Sequence, residues 1–107
     1  MKLSRGRGKV LLKDGNKKSI EIIDGYYTED GTFFIYKTKN WYALDTKSGL
    51  SFGKSKNYLT KKEIVDDFPK VIKEFERMKQ EHTDMYVKTC SAYKRLCREY
   101  DLNGGRR

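Results

Sequence analysis

The feature that most constrains the fold is a long helical stripe in the second half of the chain. Between Pro69 and Gly104 there is no glycine or proline, and apolar residues recur every three or four positions. That spacing is typical of one face of an α-helix. The stripe shifts by one position after its fifth member. Its members are Val71, Phe75, Met78, His82 and Met85, followed by Tyr86, Cys90, Tyr93, Cys97 and Tyr100.

A single helix over residues 69–102 would be about 50 Å long, because each residue adds about 1.5 Å. That length exceeds what a small sheet can cover. The helix therefore either breaks near His82-Thr83-Asp84 or extends past the sheet and packs on another chain. We favour the extended helix, which predicts an oligomer interface, with a homodimer as the simplest case. The interface residues would be Tyr86, Cys90, Tyr93, Cys97 and Tyr100.

A shorter helix is predicted just before this stripe. Thr60 and Glu63 fit a capping box, in which the threonine side chain accepts a hydrogen bond from the Glu63 backbone N–H and the glutamate side chain reaches back. This helix could run to Asp67. Pro69 suits the first turn of the next helix, with Asp66 or Asp67 as its N-cap.

The first half of the chain predicts short antiparallel strands. Asp14-Gly15 is a strong turn signal between two apolar runs, and Asp30-Gly31 is a second one. Three β-rich segments with short polar reversals between them are FFIYK, WYALD and LSFG. Strands that follow one another usually pair as neighbours. The predicted fold class is therefore α+β, with an antiparallel β-meander of four to five strands followed by a short helix and a long C-terminal helix.

The 107 residues fit a single domain, with 24 Lys and Arg against 15 Asp and Glu and a formal net charge of +9. We expect a flexible basic arm over residues 1–8, the sheet over 9–53, helices over 60–102 and a tail over 103–107. No segment stays apolar for the 18 or so residues that a membrane span needs, and no apolar run follows the N-terminus. We therefore expect a soluble, cytoplasmic protein whose charge favours an acidic partner.

Residues suited to catalysis or metal binding are sparse. A metal site needs three or four donors, and His82 with Cys90 and Cys97 offers at most three at unsuitable spacing. The two cysteines would lie about 10 Å apart along a helix, too far for an internal disulfide, so we expect free, half-buried thiols. A disulfide between two chains is the alternative. No glycine-rich phosphate loop is recognisable. We predict that the protein is not an enzyme and holds no metal or cofactor.

Basic and aromatic residues indicate a binding function. The glycine-rich basic N-terminus could follow phosphates or enter a groove, or it could be a solvated chain end. Lysines of residues 37–62 lie mainly in turns, and a tryptophan among them could stack on a base. The candidate nucleic-acid-binding residues are Arg5, Arg7, Lys9, Lys37, Lys39, Trp41, Lys54, Lys56, Lys94, Arg95 and Arg98.

The orientation of Trp41 stays open at this point. Neighbouring residues in a strand point to opposite faces, so Trp41 and Tyr42 lie on different sides of the sheet. In one orientation, Tyr42 and Leu44 face the helices. Trp41, Ala43 and Asp45 then face outward. In the alternative, Trp41 belongs to the core and Tyr42 is the outer residue.

Residues 40–63, NWYALDTKSGLSFGKSKNYLTKKE, resemble the small three-stranded domain at the N-terminus of tyrosine recombinases (integrases) of mobile elements. That domain has a Trp-Tyr strand, a glycine turn, another strand and a helix that opens with a sequence like TKKE. The resemblance implies DNA binding with the sheet in the major groove. The chain departs from the family at Ala43 and Asp45, where Arg or Lys would stand. It also ends where the later recombinase domains would follow, so no recombinase activity is implied.

Residues 60–79 also resemble small accessory proteins of phages and mobile elements in Gram-positive bacteria, which implies the cytoplasm of a bacterial host. Two hypotheses remain. In the first, the protein binds nucleic acid directly, and with six phosphate contacts its affinity should fall about a thousandfold from 50 to 200 mM salt. In the second, it inhibits a host protein or nucleoprotein defence complex by protein-protein contact, in the manner of an anti-CRISPR protein. A helix-mediated dimer with a structural role is a third.

Overall fold

The computed structural model describes residues 2–14, 17–53 and 57–102, which form five strands and three helices. The strands are β1 (Leu3–Asp14), β2 (Lys17–Thr28), β3 (Phe33–Lys37), β4 (Trp41–Asp45) and β5 (Ser51–Phe52). The helices are α1 (Lys61–Asp66), α2 (Phe68–Glu81) and α3 (Thr83–Leu102). Each strand pairs antiparallel with the next, in the order β1-β2-β3-β4-β5. The predicted α+β class, a meander followed by helices with a long one at the end, is confirmed.

The N-terminal residues form a strand and not the flexible arm that we expected. β1 pairs with β2 along its whole length, from Leu3 opposite Thr28 to Asp14 opposite Lys17. Because β2 is as long as β1, it offers a partner to each residue of β1. Residues 3–8 are thereby held in the sheet. The predicted turn residue Gly15 and the predicted tail, 103–107, lie outside the described residues.

One face of the sheet packs against the helices. Phe75 of α2 is 2% exposed, and its ring centroid lies 5.4 Å from that of Phe33 and 4.7 Å from that of Phe52. Edge-to-face contacts of this kind add to the stability that burial alone provides. The buried residues of this helix-side core are Phe33, Ile35, Ala43, Phe52, Tyr58, Ile64, Phe68, Val71, Phe75 and Tyr86.

A smaller core lies on the opposite face, under the long β1–β2 hairpin. Its buried residues are Val10, Phe34, Tyr36 and Leu44. Val10 and Leu44 are three strands apart in the sheet, so the hairpin must curl over this face to bring them into one cluster. Gly25 permits the curl, because a Cβ there would lie 2.4 Å from the carbonyl oxygen of Ile35 and 2.6 Å from the Phe34 ring.

The helical half breaks at His82, so the single extended helix that we favoured is wrong. His82 has φ −131° and ψ 49°, outside the helical region, and it separates α2 from α3. A break near this residue is the other predicted outcome, and it adjoins the shift of the apolar stripe from Met85 to Tyr86. The turn lets α3 fold back on the sheet, where the second part of the stripe becomes buried.

Two of the predicted interface residues of α3, Tyr86 and Tyr93, pack on the protein's own sheet and are therefore not free to form an oligomer interface. Tyr86 and Tyr93 are only 5% and 7% exposed. The Tyr86 hydroxyl donates to Asp45 Oδ2 at 2.8 Å, and the Tyr93 hydroxyl donates to the carbonyl oxygen of Lys9. The remaining members of the stripe are half-buried: Cys90, Cys97 and Tyr100. The two thiols are free, as predicted.

The start of α1 follows the predicted capping box. Thr60 Oγ1 accepts from the backbone N–H of Glu63 at 3.1 Å, and the Thr60 hydroxyl donates to the Glu63 carboxylate at 3.2 Å. Pro69 lies in the first turn of α2, as predicted, but Asp67 at the N-cap makes no side-chain capping bond. Its carboxylate accepts from the Tyr58 hydroxyl at 2.7 Å instead. Asp67 therefore ties α2 to the segment that precedes α1.

Candidate nucleic-acid interface

A cleft of about 450 Å³ opens where the β1–β2 hairpin passes the start of β4. It brings together residues of β1, β2 and β4. The lining residues are Arg5, Gly6, Arg7, Asp24, Gly25, Tyr26 and Trp41. Three of the predicted nucleic-acid-binding residues, Arg5, Arg7 and Trp41, therefore meet in one place.

The register of the β1–β2 hairpin explains why four of these side chains converge: Arg5, Arg7, Asp24 and Tyr26. Arg5 lies opposite Tyr26, and Arg7 lies opposite Asp24. Directly opposed residues share a face of the sheet, and so do residues two apart in one strand. The two arginines, the tyrosine and the aspartate therefore project on the same side.

The same face continues onto β3 and β4. Tyr26 lies opposite Ile35, and Lys37, two residues further along β3, lies opposite Trp41. Lys37 and Trp41 therefore project on the cleft side as well. Because the Lys37 side chain is exposed, it adds a cation next to the cleft.

Trp41 faces the helix side of the sheet and is half-buried. Ala43 and Asp45 follow on the same side of β4 and are 0% and 2% exposed, while Tyr42 and Leu44 pack in the smaller core. The orientation in which Tyr42 and Leu44 face the helices is therefore wrong. The alternative is right that Trp41 packs on the helix-side core, but Tyr42 is half-buried against the smaller core and is not an outer residue. Part of the indole is anchored on the helix-side core, and the rest lines the cleft.

Two aromatic rings line the cleft, and an ammonium group lies over one of them. The ring centroids of Tyr26 and Trp41 are 6.4 Å apart, and their planes are inclined by 34°. Lys61 Nζ lies 4.1 Å from the Tyr26 ring centroid, which is a cation–π contact. Lys61 is the first residue of α1, so the capping box at Thr60 sets where this charge sits.

The cleft keeps an excess of positive charge. Its one lining acid, Asp24, has Oδ1 3.4 Å from Arg7 Nε, but the two side chains are 88% and 77% exposed. An ion pair this exposed is worth little, because water screens it. Within the part of the chain that the structure describes, Arg5 and Lys37 have no ion-pair partner.

Lys9 is a structural residue and not a free cation. Its Nζ donates to Asp101 Oδ2 at 2.8 Å, and this hydrogen bond raises the pKa of Lys9. Its carbonyl oxygen accepts from the Tyr93 hydroxyl. Lys9 therefore ties β1 to α3 and does not line the cleft.

The other predicted cations lie away from the cleft or outside the described residues. Lys39 is exposed in the reversal between β3 and β4. On α3, the exposed predicted residues are Lys94, Arg95 and Arg98. Lys54 and Lys56 fall outside the described residues.

Sequence reasoning missed three residues of this site: Asp24, Tyr26 and Lys61. A signal for two of them was present, because extending the register of a hairpin closed after Asp14 places Tyr26 and Asp24 opposite the two arginines. Lys61 had a weaker signal in the capping box, which makes it the first helical residue. Its approach to Tyr26 depends on tertiary packing, which no local pattern specifies.

Comparisons with known proteins return no relative. No protein-family model matches the chain, and no curated protein and no solved structure matches it either. None of the described helices is long and apolar enough to cross a membrane. Among residues 2–14, 17–53 and 57–102, the His, Cys, Asp and Glu side chains form no group of three or more that could hold a metal ion.

Proposed function

We propose that this protein is a non-catalytic nucleic-acid-binding protein. The observation that carries the proposal is the cleft, in which Arg5 and Arg7 stand beside the aromatic wall of Tyr26 and Trp41. Guanidinium groups suit phosphates, and aromatic rings suit bases. The setting in a phage or mobile element is part of the proposal and rests on the resemblance of residues 40–79 alone.

Charge in and around the cleft supports binding to an anionic polymer. Arg5 and Arg7 line it, Lys37 stands opposite Trp41, and Lys61 lies over the Tyr26 ring. These four cations face a single lining carboxylate. The net charge of +9 adds a long-range attraction that speeds the encounter with a polyanion.

The test is the salt dependence of binding, measured by fluorescence anisotropy with labelled oligonucleotides. Four phosphate contacts give a slope of about −2.8 in log affinity against log salt for a single strand and about −3.6 for a duplex. Affinity should therefore fall about 50-fold for a single strand and about 150-fold for a duplex between 50 and 200 mM salt. This is less than six contacts would give, because Lys9 is engaged elsewhere and the α3 cations lie apart.

Two double variants with the same loss of charge locate the site. Arg5→Gln with Arg7→Gln should weaken binding and lower the single-strand slope by about 1.4. Lys94→Gln with Arg95→Gln removes two charges from α3 and should leave the slope nearly unchanged. Equal effects of the two pairs would refute the assignment to the cleft. The absence of any nucleic-acid binding at 50 mM salt would refute the function and favour inhibition of a host complex by protein contact.

A further inference from the structure

The chemistry of the cleft distinguishes between a phosphate backbone and a base. We propose, building on the proposed nucleic-acid function, that the cleft holds an unpaired base against the indole of Trp41. The preferred ligand is then single-stranded DNA or RNA, and a duplex is a poor one.

Trp41 is held ready for stacking. Part of its ring packs on the helix-side core, and its backbone N–H donates to the carbonyl oxygen of Tyr58 at 2.9 Å. A ring held by packing, on a backbone held by this hydrogen bond, loses little conformational freedom when a ligand binds. Tyr26 is less suited to stack a base, because Lys61 Nζ already lies over its ring. Trp41 therefore provides the stacking surface, and Tyr26 forms the adjoining wall.

Asp24 favours a base in the cleft over a phosphate. A phosphate oxygen has no hydrogen to offer a carboxylate, and its charge repels it. The amino groups of cytosine, adenine and guanine do donate to carboxylates. With Arg5 and Arg7 placed beside Asp24, the cleft offers cations to the flanking phosphates and an acceptor to the base between them.

A duplex cannot supply this base without distortion. Its bases are stacked and paired, and extruding one costs a few kcal/mol. The cleft, at about 450 Å³, has the volume of a small-ligand pocket and not of a groove that embraces a double helix. A single strand presents its bases at no such cost, so we expect it to bind about tenfold or more tightly than a duplex of equal length.

The experiment uses Trp41 as its own reporter, since it is the one tryptophan of the chain. The unaltered protein is titrated with a 12-nucleotide single strand as DNA and as RNA, with the matching duplex, and with the same strand carrying abasic sites. Either single strand should quench Trp41 fluorescence. The abasic strand should leave the fluorescence unchanged and bind about tenfold more weakly, because it keeps the phosphates and loses the stacking bases.

The outcomes separate this inference from the function on which it rests. Equal binding of single strand, duplex and abasic strand, without quenching, would overturn base stacking and leave nucleic-acid binding intact. No binding of any strand at 50 mM salt would overturn both. Quenching by the intact single strands alone supports the inference.

Variants read out by anisotropy of the labelled strand give a second measure. Trp41→Leu keeps an apolar side chain but has no aromatic face, and it should lose the preference for single strands, while Trp41→Phe should keep most of it. Tyr42→Leu, the adjacent residue on the opposite face, is the matched control and should keep the full preference. A folded Trp41→Leu variant with an unchanged preference would contradict the proposal. If that variant fails to fold, the abasic strand still decides.

Discussion

The hydrogen bond between Tyr86 and Asp45 joins the last helix to the sheet, and its loss has a predictable cost. Asp45 is 2% exposed at the end of β4. Its Oδ2 accepts from the Tyr86 hydroxyl at 2.8 Å, from the Ser48 hydroxyl at 2.6 Å and from the Ser48 backbone N–H at 3.1 Å. Tyr86→Phe removes one of these three donors and keeps the ring, whose centroid lies 5.9 Å from that of the Phe75 ring.

The expected magnitude follows from the charge of the acceptor. A hydrogen bond to a charged group contributes about 1.5–3 kcal/mol net, so Tyr86→Phe should lower the free energy of unfolding by about 2 kcal/mol. For a domain of about 100 residues, each kcal/mol shifts the melting temperature by about 4–8 °C. The variant should therefore melt roughly 10 °C lower.

Urea unfolding and thermal melting, both followed by circular dichroism, measure this cost. Tyr36→Phe is the matched control, because Tyr36 is equally buried but its hydroxyl meets the neutral Ser51 hydroxyl at 2.7 Å. Its cost should be only about 1 kcal/mol. If Tyr86→Phe costs no more than Tyr36→Phe, the buried carboxylate is not what makes the Tyr86 bond strong, and the reasoning is refuted.

Two further predictions concern packing and pH. Gly25→Ala should lower the free energy of unfolding by about 3 kcal/mol, because its methyl would lie 2.4 Å from a backbone oxygen. Gly31→Ala, with φ +74° but open space around the new methyl, should cost about 1 kcal/mol in the same urea assay, and equal costs would contradict the close packing at Gly25. Burial and the bond to Asp67 raise the pKa of Tyr58 from 10.0 to about 12. The stability that Tyr58 contributes to the fold is therefore fully present below pH 10 and is lost as the pH rises through 12. Tyr58→Phe should lessen the fall in melting temperature between pH 9 and 12, and a wild-type melting temperature that stays constant over that range would disprove the coupling.

Local signals predicted much of this fold correctly. The Asp30-Gly31 turn is present, with Gly31 in the left-handed region that glycine favours. The capping box at Thr60 begins α1 where expected. These features depend on a few neighbouring residues, so the sequence alone is enough to place them.

Features decided by distant contacts were not predictable in this way. Residues 3–8 read as an arm because their own sequence is basic and glycine-rich, and only their pairing with β2 holds them in the sheet. The break at His82 depends on the gain from burying Tyr86 and Tyr93 on the sheet. Part of that gain needs Gly49, where a Cβ would lie 2.4 Å from the Tyr93 ring. No helical pattern contains this information.

The candidate site was half predictable for the same reason. The basic and aromatic character of Arg5, Arg7 and Trp41 is visible in the sequence, so their residue types indicated binding. Their meeting depends on the register of β1 against β2 and on which face of β4 turns to the helices. Alternation along β4 leaves two choices of face, and tertiary contacts such as the bond from Tyr86 to Asp45 select between them.

The smaller core and the cleft both depend on the close approach of the hairpin to β3 at Gly25. The absence of a side chain there lets the Phe34 ring and a backbone oxygen of β3 approach closely. The far half of the hairpin then turns over the face opposite the helices, which buries Val10 completely. The part of the hairpin that holds Arg5, Arg7, Asp24 and Tyr26 stays beside the start of β4, and these side chains line the cleft.

Stability and binding should therefore fall together in some variants and separately in others. Gly25→Ala should weaken both, because straightening the hairpin removes apolar packing and moves Arg5 and Arg7 away from Trp41. Tyr86→Phe acts at Asp45, the opposite end of β4 from Trp41, and should lower stability without changing affinity for a single strand. Arg5→Gln changes an exposed side chain and should weaken binding of a single strand without changing stability. This pattern is expected if the strand binds in the cleft. Binding through the net charge of the whole chain would leave the affinity of Gly25→Ala unchanged.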